Sequence, residues 1–175
     1  DTLCEEAGDA GVFHLHGSFL TSRCTECGAT FPRMGLYKEG NVCPACKASG
    51  WSVRTDVVLF GEQPHGLDWI PGVLRRADVF LAVGTSGMVY PAAGFVTEAR
   101  RRNCRTRILI AKDAPLDGFQ PLSTDNDSVG HFTKFVRGNA TTVLPAVLET
   151  LGNWIERVTE KTETEQPQTT LDNDE

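Results

Sequence analysis

Four apolar runs stand out along the chain, and none of them alternates with polar residues. They are Asp56-Val57-Val58-Leu59-Phe60, Asp78 to Val83, Arg107 to Ala111, and Lys134 to Arg137. Between and after them lie stretches with helical spacing: Leu67 to Ala77 with Pro71 near its start, Ala92 to Arg102, and Thr141 to Val158. Strands without alternation, separated by helices, are expected of a parallel sheet covered on both faces. The pattern therefore predicts a doubly wound α/β domain with right-handed crossovers. Upstream, Cys4 to Ala7 reads as a short helix stopped by Gly8. Val12 to His16 and Phe19 to Arg23 read as short extended runs. Thr159 to Glu175 is polar, acidic and rich in threonine, and is expected to be disordered.

The stretch from Ala29 to Trp51 has no periodicity and is too polar to build a core of its own. It lies among two paired motifs, Cys24-Thr25-Glu26-Cys27 and Cys43-Pro44-Ala45-Cys46. Each Cys-x-x-Cys makes a tight knuckle that aims two sulfurs at one point, and four thiolates complete the tetrahedral shell of structural zinc. Such a shell has no open position for water, so the metal is expected to replace a core and to take no part in chemistry. Two disulfides, or four unrelated thiols, are the other uses of these residues. The expected organisation is a zinc module over 24–51, an α/β domain over 1–23 and 52–158, and a tail over 159–175.

The net charge of -6 argues against nucleic acid as a direct partner. The one basic cluster, Arg100, Arg101, Arg102, Arg105 and Arg107, reads first as a solvated helix end. No apolar run approaches the roughly 18 residues of a membrane span, so no membrane partner is expected. Four zinc-type thiols with two odd ones, Cys4 and Cys104, fit a reducing cytoplasm. No signal peptide is visible, and the chain begins abruptly, as one without its natural amino terminus would.

Glycine follows three of the expected strands, at Gly61, Gly84 and Gly138. Ligands in such sheets gather at the carboxyl ends of strands. Gly84-Thr85-Ser86-Gly87 is the best candidate for cradling a ribose or phosphate, since small residues admit the ligand and hydroxyls can bind a sugar. A tight turn without a ligand has the same composition. There is no GxGxxG and no P-loop. For general-base chemistry two histidines compete, His14 and His16; on one strand they would face the same side, so periodicity does not separate them. His65 and His131 fall in polar loops and read as bystanders.

Taken in order, His16-Gly17-Ser18, the paired Cys-x-x-Cys motifs, Val58-Leu59-Phe60-Gly61-Glu62, Gly84-Thr85-Ser86, Val89-Tyr90-Pro91-Ala92-Ala93, Gly138-Asn139-Ala140 and Val143-Leu144-Pro145 resemble the sirtuins. These are zinc-containing, NAD-dependent protein-lysine deacylases with a Rossmann-like domain. The resemblance covers about Asp1 to Arg157 and is nearest to the bacterial and desuccinylase-type branch, which implies acetyl, succinyl or malonyl groups on lysines of protein or peptide substrates. It implies that His16 is the catalytic base and that Cys24, Cys27, Cys43 and Cys46 hold zinc. Val58, Phe60, Gly61 and Glu62 would contact the substrate. Gly84, Thr85 and Ser86 would meet the NAD ribose, Ala140 the adenine, and Asp1 the nicotinamide pocket. Lys112, Asp113 and Ala114 stand where the family carries an Asn-Leu-Glu-like adenosine-ribose turn, and the match there departs from the pattern. The family's amino-terminal Gly-Ala-Gly loop, Pro-Asp-Phe-Arg segment and Gln-Asn do not occur ahead of Asp1. In the implied reaction the acyl-lysine carbonyl oxygen displaces nicotinamide to give an O-alkylamidate, and a neutral imidazole then takes a proton from a ribose hydroxyl. The products are free lysine, nicotinamide and O-acyl-ADP-ribose. The competing readings are an NAD glycohydrolase or ADP-ribosyltransferase on the same fold, and a non-catalytic zinc-stiffened interaction module.

Overall fold

The computed structural model describes residues 2–85, 87, 89–113 and 130–164. Asp1, Ser86, Ala114 and the last eleven positions of the expected tail, 165–175, lie outside the described residues. The chain divides into two compact units, Asp1–Pro71 and Gly72–Glu175.

The first unit opens with α1 (Leu3–Glu6), followed by Gly8 in a left-handed conformation. Its body is a three-stranded antiparallel sheet of β1 (Gly17–Cys24), β2 (Thr30–Pro32) and β3 (Val53–Val57), in the order β2-β1-β3. The registers are Ser22↔Phe31 on one side and Arg23↔Arg54 and Cys24↔Val53 on the other. Pairing of β1 with β3 shifts between Ser18 and Ser22, so Phe19 and Leu20 bulge out and are exposed. The core is small: Cys24, Cys43 and Val53 are buried, with Phe31, Met34, Tyr37 and Ala48 packed around them. The buried Ser22 hydroxyl is satisfied by the Tyr37 hydroxyl at 2.9 Å and by the Met34 N–H at 3.0 Å.

Two expectations are corrected in this unit. The apolar run Asp56–Phe60 does not supply a strand of a parallel sheet. Its first residues end β3, which pairs antiparallel to β1 across the cysteine-rich insert, while Val58 to Phe60 leave the sheet. An apolar run does not state the direction of its partner, and the metal-type insert returns the chain beside β1. Val12 to His16 is likewise not a strand. Leu15 and His16 form a turn and the strand starts at Gly17, so His16 precedes a strand instead of ending one.

The second unit carries the parallel sheet that the apolar runs predict. The chain enters it through the short α2 (Ile70–Leu74), with Pro71 in its first turn, where a missing N–H costs nothing. Strands β4 (Val79–Val83), β5 (Thr106–Ala111) and β6 (Lys134–Arg137) lie in the order β4-β5-β6, all parallel. A 3-10 turn, Ala92–Gly94, and α3 (Phe95–Arg101) connect β4 to β5. The central strand is the most buried, with Ile108, Leu109 and Ile110 all inside. Leu109 packs with Val96 and Phe132, and Phe80, Ala82, Ala111 and Phe135 close around them. On α3, Val96 and Ala99 are buried three residues apart on one helix face.

The arginine cluster is largely occupied by structure. Arg102 pairs with Glu98 one turn back, Arg100 reaches the His131 ring, and Arg107 donates to the carbonyls of His131 and Cys104. Burial, with Arg100, Arg107 and Arg101 nearby, holds His131 below its ordinary pKa. The final helix α4 (Ala140–Thr164) runs past the expected end at Val158. Glu160, Lys161 and Glu163 are good helix formers, so polarity alone does not stop the helix there. Among the described residues no helix is long and apolar enough to cross a membrane.

Gly17 is where local sequence and tertiary packing meet most tightly. Its φ is +77°, and a Cβ built on it would lie 1.9 Å from the carbonyl oxygen of Asp56. Gly17→Ala is therefore expected to destabilise the first unit by roughly 2–5 kcal/mol, through left-handed strain plus overlap with backbone that cannot retreat. Urea denaturation followed by tryptophan fluorescence checks it: Trp51 and Trp69 report this unit, and Trp154 the other.

Candidate functional site

The metal-type cluster is built by two knuckles of matching design. In the first, Gly28 N–H donates to the Cys24 carbonyl and Cys24 N–H to the Ala29 carbonyl. In the second, Lys47 N–H donates to the Cys43 carbonyl and Cys43 N–H to the Ala48 carbonyl. Each knuckle ends on a left-handed residue, Gly28 at φ 73° and Lys47 at φ 65°. The strand pair Cys24↔Val53 and the bond from Thr25 N–H to the Ser52 carbonyl, 2.7 Å, fasten the first knuckle to β3.

All four sulfurs lie within 4.8 Å of one another. Cys24 Sγ is 3.7 Å from Cys46 Sγ, and Cys27 Sγ is 3.8 Å from Cys43 Sγ. A tetrahedron with metal–sulfur bonds of about 2.3 Å has edges of about 3.8 Å. A disulfide needs about 2.05 Å, and all four thiols are free, so the disulfide reading does not hold. The electrostatics also call for a cation. Hydrogen bonding from the Cys46 N–H, against the cost of burial, brings the Cys43 thiol down to about 6. The Ala48 N–H favours the Cys46 thiolate, but the Cys27 thiol, burial and the other two sulfurs outweigh it and push Cys46 up to about 12. Four thiolates at these distances need a positive ion between them. The donor set fits zinc, closed to water.

His14 and His16 are separated clearly. His14 Nε2 lies 2.6 Å from Glu5 Oε1, and this bond holds the Glu5 carboxyl below its usual range. His16 is exposed, and among the described residues its ring has no hydrogen-bond partner. Its backbone, in contrast, is fixed. The His16 carbonyl accepts from Val58 N–H at 3.0 Å, and the Leu15 carbonyl accepts from His65 N–H at 2.9 Å. The loop from Val58 to His65 is thus closed at both ends onto the turn that carries His16.

That loop contains Val58, Phe60, Gly61 and Glu62. Phe60 is fully exposed at its tip. Glu62 Oε2 accepts from Leu59 N–H at 2.9 Å, Glu62 Oε1 pairs with Arg54 Nη2, and Arg23 Nη2 stands 3.5 Å from Oε2. The Leu59 N–H first, then Arg54 and Arg23, hold the Glu62 carboxyl below the ordinary carboxylate range. Beneath it, the buried Asp56 carboxylate has Arg23 Nε and His65 Nε2 each 3.4 Å from Oδ1. These atoms are close enough for charge attraction but not aligned as hydrogen bonds. Reading the sequence missed Arg23, Arg54 and Asp56 and took His65 for a bystander. Only the register Arg23↔Arg54 brings them to one place.

In the second unit the parallel register aligns three strand ends. Gly84 N–H donates to the Ile110 carbonyl at 2.9 Å, and Gly138 N–H to the Ala111 carbonyl at 3.0 Å. Gly84 and Thr85 after β4, Lys112 and Asp113 after β5, and Asn139 and Ala140 after β6 therefore share the carboxyl edge of one sheet. Thr85 Oγ1 accepts from Gly87 N–H at 3.1 Å and shapes its turn. Asn139 caps α4 through Oδ1 to the Thr141 N–H and hydroxyl. Arg137 Nη2 lies 3.7 Å from Asp113 Oδ1, an exposed ion pair between two of the strand ends. This is the edge where an open α/β sheet takes its ligand.

A model of the Sir2 family matches residues 1–91, just over half of the chain. An NAD-dependent protein deacylase of Caulobacter vibrioides is 41% identical over 158 residues, covering 90% of this chain and 58% of the relative. One from Shigella flexneri is 38% identical over 151 residues, covering 86% and 50%. Among solved structures, a Sir2 homologue complexed with NAD superposes with a TM-score of 0.66 at 30% identity, covering 87% of this chain and 56% of the other. A Sir2 structure bound to a myristoylated histone peptide superposes with a TM-score of 0.60 at 26% identity, covering 90% and 64%. The chain belongs to the Sir2 family, and its α/β sheet is the Rossmann-like sheet of that family. It spans about half the length of the curated relatives it matches.

The zinc shell yields a direct test. Metal analysis of the purified protein should find one zinc per chain, and Cys43→Ser should remove it and abolish cooperative unfolding of the first unit. Lys47→Gly should keep the zinc and stabilise the unit by roughly 1 kcal/mol, by relieving a left-handed lysine; thermal melts with and without chelator give both values.

Proposed function

We propose that this chain provides the catalytic histidine, the substrate-facing loop and much of the NAD edge of an NAD-dependent protein-lysine deacylase. The single observation that carries the reading is the unengaged imidazole of His16 on a rigidly held turn that is bonded to Val58, at the start of the loop the family uses for its peptide. An imidazole with no hydrogen-bond partner among the described residues keeps its lone pair available, which suits general-base work. His14 has its Nε2 engaged by Glu5, which leaves only Nδ1 to take a proton.

The substrate would be an acylated lysine in an extended protein or peptide segment. β3 pairs with β1 on one side only, so its other edge is open among the described residues, and it leads straight into Val58 to Glu62. An open edge running into a fixed loop suits strand addition, in which main-chain bonds give affinity across many sequences. NAD would lie along the edge formed by Gly84, Thr85, Lys112, Asp113 and Ala140; the family resemblance also gives NAD contacts to Asp1, Ser86 and Ala114, which lie outside the described residues. When bound, NAD supplies the ribose carbon that takes the acyl oxygen as nicotinamide leaves, and the acyl group ends on ADP-ribose. His16 accepts the proton of a ribose hydroxyl at Nε2 or Nδ1. The Val58–Glu62 loop holds the acyl-lysine and keeps water from it. The four-cysteine site takes no part beyond holding β1 and β3, since a closed shell has nowhere to bind substrate. A deacylase of the bacterial and desuccinylase-type branch would act on acetyl, succinyl or malonyl lysine in a cytoplasmic setting.

Two measurements check this. In the full-length protein, His16→Ala should lower acyl-lysine removal by about 10² to 10⁴ with the fold intact, while nicotinamide exchange falls less and His14→Ala is mild. If His14→Ala stops turnover and His16→Ala does not, the roles are reversed; nicotinamide release that needs no acylated peptide would mean a glycohydrolase or transferase. Proline placed on either side of the acyl-lysine should weaken peptide binding at least about tenfold, through lost main-chain bonds.

A further inference from the structure

Arg23 and Arg54 face each other directly across the β1–β3 pair. Like charges in that position repel and destabilise a sheet. Here a single carboxylate stands between them: Glu62 Oε1 pairs with Arg54 Nη2, and Glu62 Oε2 lies 3.5 Å from Arg23 Nη2. The same Oε2 accepts from Leu59 N–H at 2.9 Å, and Glu62 N–H donates back to the Leu59 carbonyl at 3.0 Å. Arg54 Nη1 also donates to the Val57 carbonyl at 2.8 Å, just before the loop leaves the sheet. Arg23 and Arg54 are half-buried, with side-chain exposures of 24% and 25%, while Glu62 is exposed, at 36%. One residue beyond Arg23 is Cys24, and one before Arg54 is Val53, the buried pair of the cysteine cluster.

We propose that Glu62 is a positioning residue: its carboxylate, shared between two opposed arginines and the Leu59 N–H, latches the Val58–Glu62 loop onto the strands that hold the metal-type cluster. The proposal rests on the reading that this loop receives an acylated peptide, and it assigns Glu62 a role different from contact with that peptide. Three of the roughly four acceptor directions of its carboxylate are turned toward its own chain, to Arg54, Arg23 and the Leu59 N–H. Phe60 and Gly61, at the tip, are what the latch presents. Charge-assisted bonds of this kind are about twice as strong as neutral ones, and the arginine pair needs an anion for its own sake. The latch thereby links the loop, through Arg23 and Arg54, to the two strands that carry Cys24 and Val53 of the four-cysteine cluster.

Hydrogen exchange at the Leu59 amide reads the latch without any substrate, because Glu62 Oε2 is that amide's acceptor. Glu62→Ala should speed Leu59 exchange at least about tenfold, the worth of a charged hydrogen bond. Glu62→Gln can still accept from Leu59 but leaves two arginines opposed, and should give a smaller increase. Zinc content should stay at the wild-type level in both. In the full-length protein the KM for an acylated peptide should rise about tenfold in Glu62→Ala, with the KM for NAD and kcat changed less than about threefold. Unchanged Leu59 exchange in both variants overturns the latch, as does loss of zinc or an equal rise in both KM values. A wild-type protein that turns over no acylated peptide overturns the deacylase reading instead; the latch itself is judged on Leu59 exchange.

Discussion

Four sulfurs within 4.8 Å of one another are the condition on which the first unit rests. Apart from them its buried apolar residues amount to Val53 and a few partly covered neighbours, Phe31, Met34, Tyr37 and Ala48. A core that small does not offset the entropy of ordering some fifty surrounding residues, at about 1–2 kcal/mol for each backbone. A metal shell supplies the missing free energy and turns two knuckles into one rigid body. Everything that follows in the unit is fastened to it. Cys24 fixes the register with Val53, that register sets Arg23 against Arg54, and the arginines take Glu62.

The turn that carries His16 is held in the same way, by backbone more than by side chains. Gly17 passes so near the Asp56 carbonyl that no Cβ fits, and Val58 and His65 donate to the carbonyls of His16 and Leu15. Among the described residues the imidazole has no hydrogen-bond partner, while its main chain is pinned. His14, by contrast, has one ring nitrogen, Nε2, engaged by the Glu5 carboxylate.

The second unit solves a different problem by ordinary means. Its central strand buries Ile108, Leu109 and Ile110, and parallel pairing in register brings the ends of three strands level. Residues separated by more than fifty positions, Gly84 and Gly138, then lie on either side of Ala111. That level edge follows from the parallel register, which sets Val83 beside Ile110 and Ala111 beside Arg137.

Much of this was legible in the order of the residues. The apolar runs Asp78–Val83, Arg107–Ala111 and Lys134–Arg137 declared three strands to within a residue of β4, β5 and β6. The paired Cys-x-x-Cys spacing declared the metal-type site, because two residues between thiols is what a knuckle requires. The motif order declared the family. Other features were settled only by tertiary structure. The run at Asp56–Phe60 looks like its parallel counterparts, yet β3 lies antiparallel to β1, since strand direction is fixed by how the chain returns and not by hydrophobicity. Val12–His16 looks extended but is not a strand, because Gly17 must approach Asp56 and the chain turns to let it. His14 and His16 are alike in sequence and unlike in place: His14 pairs with Glu5, and the His16 ring has no hydrogen-bond partner among the described residues. The Arg23–Glu62–Arg54 cluster has no local signature, for its members come from two strands and a loop. Local patterns determine which segments become strands, helices and knuckles; charges and carbonyls meeting across distant segments are determined by register, which only the folded chain possesses.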